Sequence, residues 1–327
     1  MSEDDGLICA YLLDGRGRGR PVGWTEITSW QAHDGLLWVH LDRVGPDARR
    51  WLQQDSGLDP VIAGALLAED VRPRGLRFDD ALLVVLRGVN LNPGADPEDM
   101  VGIRIWLEPT RILTVRHRRL IAINDLREAL ATGRGPTSPG QFLVMLSARL
   151  IERMGPVIDD LVDEVDRLED TVVTAHSAEL RGALGSLRRQ AIALRRYLAP
   201  KREVMASLAM EQTSWLRADD KAYLREVSDR TTRFVEDLDA ARERAGVVQD
   251  ELNSRISDQM NRTMYLLTVV AAVLLPPSLL TGLLGVNVGG MPGADNPMSF
   301  GIVVGLIIAL AVVEVAVLRH LDRKSVV

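Results

Sequence analysis

Two long apolar runs near the C-terminus constrain this chain more than any other feature of its sequence. Residues 264–286 contain no charged side chain, and residues 300–318 contain only Glu314. At about 1.5 Å per helical residue the runs reach ~35 Å and ~28 Å, close to the roughly 30 Å hydrocarbon core of a bilayer. Two buried helices of a soluble protein are the alternative, but these runs exceed what a globular core usually needs. We therefore predict two transmembrane helices.

Basic residues flank the two runs asymmetrically. They precede the first run and follow the second, and the loop of residues 287–299 has none; they are Arg255, Arg262, Arg319, Arg323 and Lys324. The positive-inside rule then places both termini in the cytoplasm and the loop outside. The acidic start, Met1 to Asp5, lacks the basic tip and apolar stretch of a signal peptide. We predict a multi-pass protein of the cell inner membrane.

The first 133 residues alternate short β-like and helical runs, which indicates an α/β cytoplasmic domain. The expected strands are rich in Leu, Val, Ile and Trp and bounded by Gly, Pro or Asp: Leu7–Leu13, Leu36–Leu41, Ala81–Leu91, Val101–Glu108 and Arg111–Val115. The expected helices are Pro46–Gln54, Asp59–Glu69 and Leu120–Ala131.

The remaining sequence shows helical patterns only. Residues 134–218 predict an acidic helical hairpin with arms Phe142–Thr174 and Ala178–Leu208, and residues 219–263 predict a stalk helix that continues into the first span. The stalk carries a heptad seam, with apolar residues and one threonine three and four apart: Leu224, Val227, Thr231, Phe234, Leu238, Ala241, Ala245, Val248 and Leu252. The predicted fold is an α+β membrane protein with two C-terminal transmembrane helices and a basic tail, residues 319–327.

A transport function would require an oligomer, because two membrane helices cannot enclose a polar path between them. The helix face that continues the seam is the candidate pore lining: Asn261, Met264, Leu267, Ala271, Leu275, Ser278 and Gly282. It is polar at both ends and apolar between, which suits a gate that blocks ions by dewetting. Ordinary interhelix packing explains the same spacing, so both interpretations stay open. Pro276 and Pro277 predict a local kink.

Acidic residues form the second candidate site. Seven carboxylates fall within twelve residues of the first hairpin arm, and two more lie on the stalk: Asp159, Asp160, Asp163, Glu164, Asp166, Glu169, Asp170, Asp250 and Glu251. They could concentrate cations or bind regulatory ions, or they could be a solvated helix face. Glu314 is the only ionisable side chain within either apolar run, which makes it a candidate proton site, although it could instead reach water or Arg319.

Several functions are disfavoured by what the sequence lacks. Cys9 is the only cysteine, so one subunit can build neither a disulfide nor a thiolate zinc cage. The five histidines are scattered and are interpreted as structural or surface residues (33, 40, 117, 176 and 320). No phosphate-binding loop of the Gly-x-x-x-x-Gly-Lys type occurs, and the net charge of −6 argues against nucleic acid. We predict neither an enzyme nor a nucleotide-binding protein.

The end of the first apolar run reads Thr281-Gly282-Leu283-Leu284-Gly285-Val286-Asn287, with Met264 to Thr268 and Pro276 upstream. In this context Gly285-Val286-Asn287 resembles the Gly-x-Asn signature of the CorA superfamily of divalent metal transporters. Val286 departs from the Gly-Met-Asn of magnesium-type members. Three further segments, Leu13 to Gly17, Arg72-Pro73-Arg74 and Arg195 to Pro200, resemble the zinc-transporting ZntB branch.

The resemblance implies a homopentamer with five copies of the first span around a pore. It places Asn287 in a ring at the outer entrance, where amide oxygens hold a hydrated cation without stripping its shell. It implies transport of Zn²⁺, coupled to H⁺, with no bound cofactor. A magnesium or cobalt channel of the same architecture and a membrane-anchored scaffold without transport remain as alternatives.

Overall fold

The computed structural model describes residues 5–69, 72–174, 178–285, 293 and 296–325. The chain divides into two compact units, Met1–Gln249 and Asp250–Val327. The first unit holds a sheet and most of the helices, and the second holds the apolar C-terminal segments. Each unit is described separately below.

The first unit is built on a seven-stranded sheet. Its strands are β1 (Leu7–Leu13), β2 (Gly19–Pro21), β3 (Leu36–Asp42), β4 (Arg74–Phe78), β5 (Ala81–Gly88), β6 (Val101–Leu107) and β7 (Arg111–Arg116). Their order is β2-β1-β3-β7-β6-β5-β4, and β3 and β7 pair in parallel while the other neighbours are antiparallel. The five predicted strands are confirmed. The sequence analysis missed β2 and β4, because both are short or carry exposed, charged side chains at an edge of the sheet.

Helices cover both faces of this sheet, which is why its central strands are buried on both sides. The shorter helices are α1 (Trp24–Ser29), α2 (Pro46–Arg50), α3 (Pro60–Leu67), α4 (Ile121–Ala131) and α5 (Pro139–Glu152), with a π-helical turn at Trp51–Asp55. On one face Trp51 and Leu66 pack into the core with Leu83. On the other, Phe142 of α5 meets the ring of Trp38 edge-on, with centroids 5.0 Å apart.

Three long helices follow, and they correct one prediction. The first hairpin arm, expected as one helix over Phe142–Thr174, is two helices, α5 and α6 (Gly155–Thr174). The break falls at Arg153-Met154, and Pro156 at the start of α6 lacks the amide that would continue α5 by bonding to Glu152. The second arm is α7 (Ala178–Leu208), as predicted. The predicted break at Ala175-His176-Ser177 lies outside the described residues.

The stalk and first apolar run form one helix, α8 (Ala218–Leu284), of 67 residues. In the heptad seam all side chains are buried except Phe234, which is half-buried while Val235 takes the buried position. Within the first unit, α8 is tied to α7 by an ion pair between Arg195 and Asp239 at 2.6 Å. The side chains of the heptad seam are therefore buried, at least in part, by contacts within one subunit. The second apolar run lies in α9 (Ser299–Ser325).

Candidate functional site

The predicted pore-lining residues all lie on the C-terminal part of α8, within the second unit. At about 100° per residue in an unbroken helix, the seven positions occupy an arc of roughly 120° and extend along about 30 Å of the axis. They share one face because the spacing of three and four residues nearly matches the helical period. The structure thus brings the candidate pore stripe onto a single surface.

This part of α8 is exposed in the single subunit. Met264, Leu267 and Leu275 are 61%, 65% and 66% exposed. The most apolar windows of α8 and α9 have mean hydropathies of 2.1 and 2.8, long enough and apolar enough to cross a membrane by length and composition. Such a surface needs lipid or other subunits to cover it.

The helix remains continuous through Pro276 and Pro277. Each proline lacks an amide, so the carbonyls one turn earlier lose their helical donors. One turn later, the Thr281 hydroxyl donates to the carbonyls of Pro277 and Ser278, both at 3.0 Å. Hydroxyls that bond their own helix in this way expose no unsatisfied polar group to lipid.

The signature tripeptide lies at the end of α8. Gly285 follows the last helical residue, and its amide donates to the carbonyl of Thr281 at 2.9 Å. Val286 and Asn287 lie outside the described residues, so their predicted role stays a prediction. Before α9, the Asn296 side chain accepts a hydrogen bond from the amide of Met298 at 2.9 Å, in a turn that precedes the helix.

The acidic residues of α6 point away from its buried stripe, which consists of Ile158, Leu161, Val165, Leu168 and Val172. Three of the seven carboxylates are already paired. Glu164 pairs with Arg167 of the same helix, and Asp166 and Glu169 pair with Arg244 of α8 at 2.6 and 2.9 Å. The other four, Asp159, Asp160, Asp163 and Asp170, make no ion pair within the described ranges.

Negative charge accumulates where α6 approaches α8. Burial raises the pKa of Asp237, and the nearby carboxylates of Asp159 and Glu236 raise it further. On the lower stalk, Glu251 accepts from Arg255 at 2.6 Å, whereas Asp250 is exposed. In the part of the chain that the structure describes, no three His, Cys, Asp or Glu side chains are arranged to hold a metal ion.

The described histidines are separated from one another. His40 is fully buried, with Nδ1 2.8 Å from the Thr114 hydroxyl, and burial lowers its pKa to about 3. It is neutral at physiological pH and packs as a core residue. His33 lies beside Asp34, and His117 is exposed at the end of β7.

Glu314 lies on α9, half-buried in the second unit. Its Oε2 atom has no hydrogen-bond partner among the described residues. Its role as a proton site stays a prediction.

Sequence analysis gave no role to two features that the structure reveals. Lys201 of α7 is 1% exposed, has no described partner for Nζ, and burial lowers its pKa to about 7. Arg116 and Arg119, at the end of β7, face a cleft together with Arg127 of α4. The basic run Arg116-His117-Arg118-Arg119 was the available signal for the second feature.

Comparison with known proteins places these observations in a family. Residues 33–320 match the family described as CorA-like Mg²⁺ transporter protein. The chain is 42% identical over 322 residues to the divalent cation transporter CmaX of Pseudomonas aeruginosa, covering 98% of this chain and 97% of the relative. It is 36% identical over 298 residues to the zinc transport protein ZntB of Pectobacterium carotovorum, covering 91% and 90%.

A solved structure agrees with the fold as well. The structure of full-length CmaX superposes with a TM-score of 0.87 at 41% identity, covering 98% of this chain and 99% of that one. The predicted fold class is thereby confirmed. The relatives are named as transporters, which fits the expectation that the chain is not an enzyme.

Proposed function

This chain belongs to the family of CorA-like Mg²⁺ transporter proteins, and from that membership we propose that it moves divalent cations, zinc in particular, across the cell inner membrane. The observation that carries the proposal is α8, one helix that begins in the sheet-containing unit and ends at Leu284 after an apolar segment long enough to span a bilayer. The signature Gly285-Val286-Asn287 stands at its end.

The pathway requires several copies of the chain, which we propose to be five. α8 and α9 cannot enclose water between them, because each satisfies its backbone internally and both present apolar side chains. Five copies of the α8 stripe around an axis would form a pore with Met264, Leu267, Ala271 and Leu275 as its apolar section. Asn287 would ring the outer entrance and hold the hydrated ion through amide oxygens.

Both termini are proposed to face the cytoplasm, together with the whole first unit. Carboxylates without an ion pair among the described residues, such as Asp159, Asp160 and Asp163, would then raise the local cation concentration on the cytoplasmic side. Because these side chains form no cation cage, bound ions would exchange quickly. That property suits transport better than storage.

Zinc is proposed on the likeness to ZntB, and magnesium is the alternative that the family description favours. Proton coupling is proposed because Glu314 provides an ionisable group within the second span. No other acidic or basic side chain lies in the described part of either apolar run.

The test is cation flux into proteoliposomes that hold the full-length protein. Zinc and magnesium are compared with and without a pH gradient, using wild type, Asn287→Ala and the control Asn296→Ala, which removes an amide from the same loop. Zinc flux that the gradient stimulates and only Asn287→Ala abolishes supports the proposal. Magnesium flux indifferent to pH supports the channel, and no flux of either ion supports a scaffold.

A further inference from the structure

A cleft of about 900 Å³ opens on the first unit between the ends of β1, β3 and β7 and the helix α4. Three arginines line it: Arg116 ends β7, Arg119 lies in the connection that follows, and Arg127 is in the middle of α4. The sheet order β1-β3-β7 and the return of α4 over the same end bring them together. We call this surface the arginine cleft.

The positive charge of the arginine cleft is only partly balanced. Asp42 and Glu128 are its carboxylates, so three guanidinium groups face two acids. Asp42 lies 3.9 Å from Arg116, beyond hydrogen-bond distance, and the buried Nε of Arg116 has no hydrogen-bond partner among the described residues. Arg119 makes no ion pair within the described ranges.

The arginines also repel one another. Burial lowers the pKa of Arg116, the negative charge of Asp42 raises it, and the like charges of Arg119 and Arg127 lower it. Arg127 is held by a hydrogen bond from Nε to the Tyr11 hydroxyl at 3.4 Å, which is a weak neutral partner. By contrast, Arg118 from the same basic run is turned outward and paired with Asp99. The fold therefore leaves these three cations facing one space.

We propose that the arginine cleft binds a small anion that carries two or more phosphoryl groups. Guanidinium groups form paired, charge-assisted hydrogen bonds with phosphate oxygens, and three of them at one site exceed what a single small anion needs. The volume falls within the range of small-molecule sites and is far larger than one phosphate group. Asn124 and the Tyr11 hydroxyl provide further donors at the walls.

Isothermal titration of the full-length protein in detergent with pyrophosphate, in metal-free buffer, tests this. We expect pyrophosphate to bind wild type saturably and to bind Arg119→Gln and Arg127→Gln at least tenfold more weakly. Arg127→Lys should show an intermediate loss of affinity, because lysine keeps the positive charge but lacks the paired N–H donors of the guanidinium group. Arg74→Gln is the matched control, since Arg74 is exposed on β4 at the opposite edge of the sheet. It should bind pyrophosphate as wild type does.

Three results would overturn the proposal: no binding to wild type, equal weakening by Arg74→Gln, or unchanged binding by both cleft variants. Inorganic phosphate that binds as tightly as pyrophosphate would exclude the oligophosphate class. Thermal unfolding of each variant confirms that the altered side chains, which are exposed at Arg119 and Arg127, leave the fold intact. No cation flux is measured, so the outcome is independent of the proposed transport.

Discussion

Arg244 on α8 lies 2.6 Å from Asp166 on α6. The same guanidinium group reaches Glu169 at 2.9 Å, one turn further along α6. One cation on the stalk therefore neutralises two carboxylates of the acidic helix. The acidic cluster therefore has fewer free negative charges than its sequence suggests, because Arg244 of the same subunit pairs with two of its carboxylates.

We expect Arg244→Gln to destabilise the protein by about 0.5–1 kcal/mol, since both pairs are roughly half exposed and screened by water. The loss should shrink at high salt, where exposed ion pairs contribute less. Thermal unfolding in 20 and 500 mM salt measures it. Arg242→Gln is the control, since Arg242 pairs only at 3.8 Å with Asp239 of its own helix. Equal losses for both variants would contradict the prediction.

Close packing at the start of α5 provides a second prediction. A Cβ atom at Gly140 would lie 2.2 Å from Oδ2 of Asp220. Asp220 is 4% exposed, and the same oxygen accepts a hydrogen bond from the amide of Arg217. Gly140→Ala should therefore displace Asp220 and cost about 1–3 kcal/mol of stability. Gly182→Ala on α7, where nothing lies within 4 Å, should stabilise by up to about 1 kcal/mol. In thermal unfolding, the melting temperature should fall for Gly140→Ala and rise for Gly182→Ala.

Lys201 predicts a pH-dependent stability. Its pKa is about 7 in the folded chain because of burial, against 10.5 when exposed. Between these pH values the lysine is protonated in the unfolded chain and neutral in the folded chain. The destabilisation of the folded state by Lys201 therefore grows as the pH falls from 10.5 to 7, and it is constant below pH 7. Lys201→Met should raise stability at pH 7 by on the order of 1–3 kcal/mol and raise it less at pH 9.5. A melting temperature that rises equally at both pH values would contradict this.

The proposed proton coupling can be tested at Glu314. We expect Glu314→Gln to lose the stimulation of zinc flux by a pH gradient while flux driven by zinc alone persists, because the amide has similar size but cannot carry a proton. Proteoliposome flux with an imposed gradient measures it. Glu243→Gln, an exposed acid on α8 in the first unit, is the control. Gradient-driven flux that survives Glu314→Gln would remove Glu314 as the proton site.

The native cysteine makes the predicted topology easy to test. Cys9 is 6% exposed, and burial raises its pKa to about 11, so it should not react at neutral pH. A cysteine introduced at Met298, which is 70% exposed before α9, should react with a membrane-impermeant maleimide on intact cells. One introduced at Val44, 60% exposed in the first unit, should react only after permeabilisation. Labelling of the Val44 position on intact cells, and of the Met298 position only after permeabilisation, would contradict the predicted orientation.

The sequence predicted elements well where periodicity and burial agree. The strand Ala81–Gly88 opens with six consecutive apolar residues, and α7 begins and ends at the predicted residues. The sequence did not predict β4, because its exposed arginines give no strand pattern although it pairs with β5. It also did not predict the break between α5 and α6, because the apolar periodicity continues across Gly155. Local pattern does not show which neighbour a strand or helix will find.

Composition and periodicity act locally, so they were enough to identify the two apolar runs, the mainly helical character of residues 139–284 and the signature at Gly285-Val286-Asn287. Which charges remain free depends on the tertiary structure. The fold pairs Asp166 and Glu169 with Arg244, buries Lys201 with no partner for Nζ among the described residues, and brings Arg116 and Arg119 to the same cleft as Arg127. Electrostatic pairing depends on distances between residues far apart in sequence, and those distances exist only once the chain has folded.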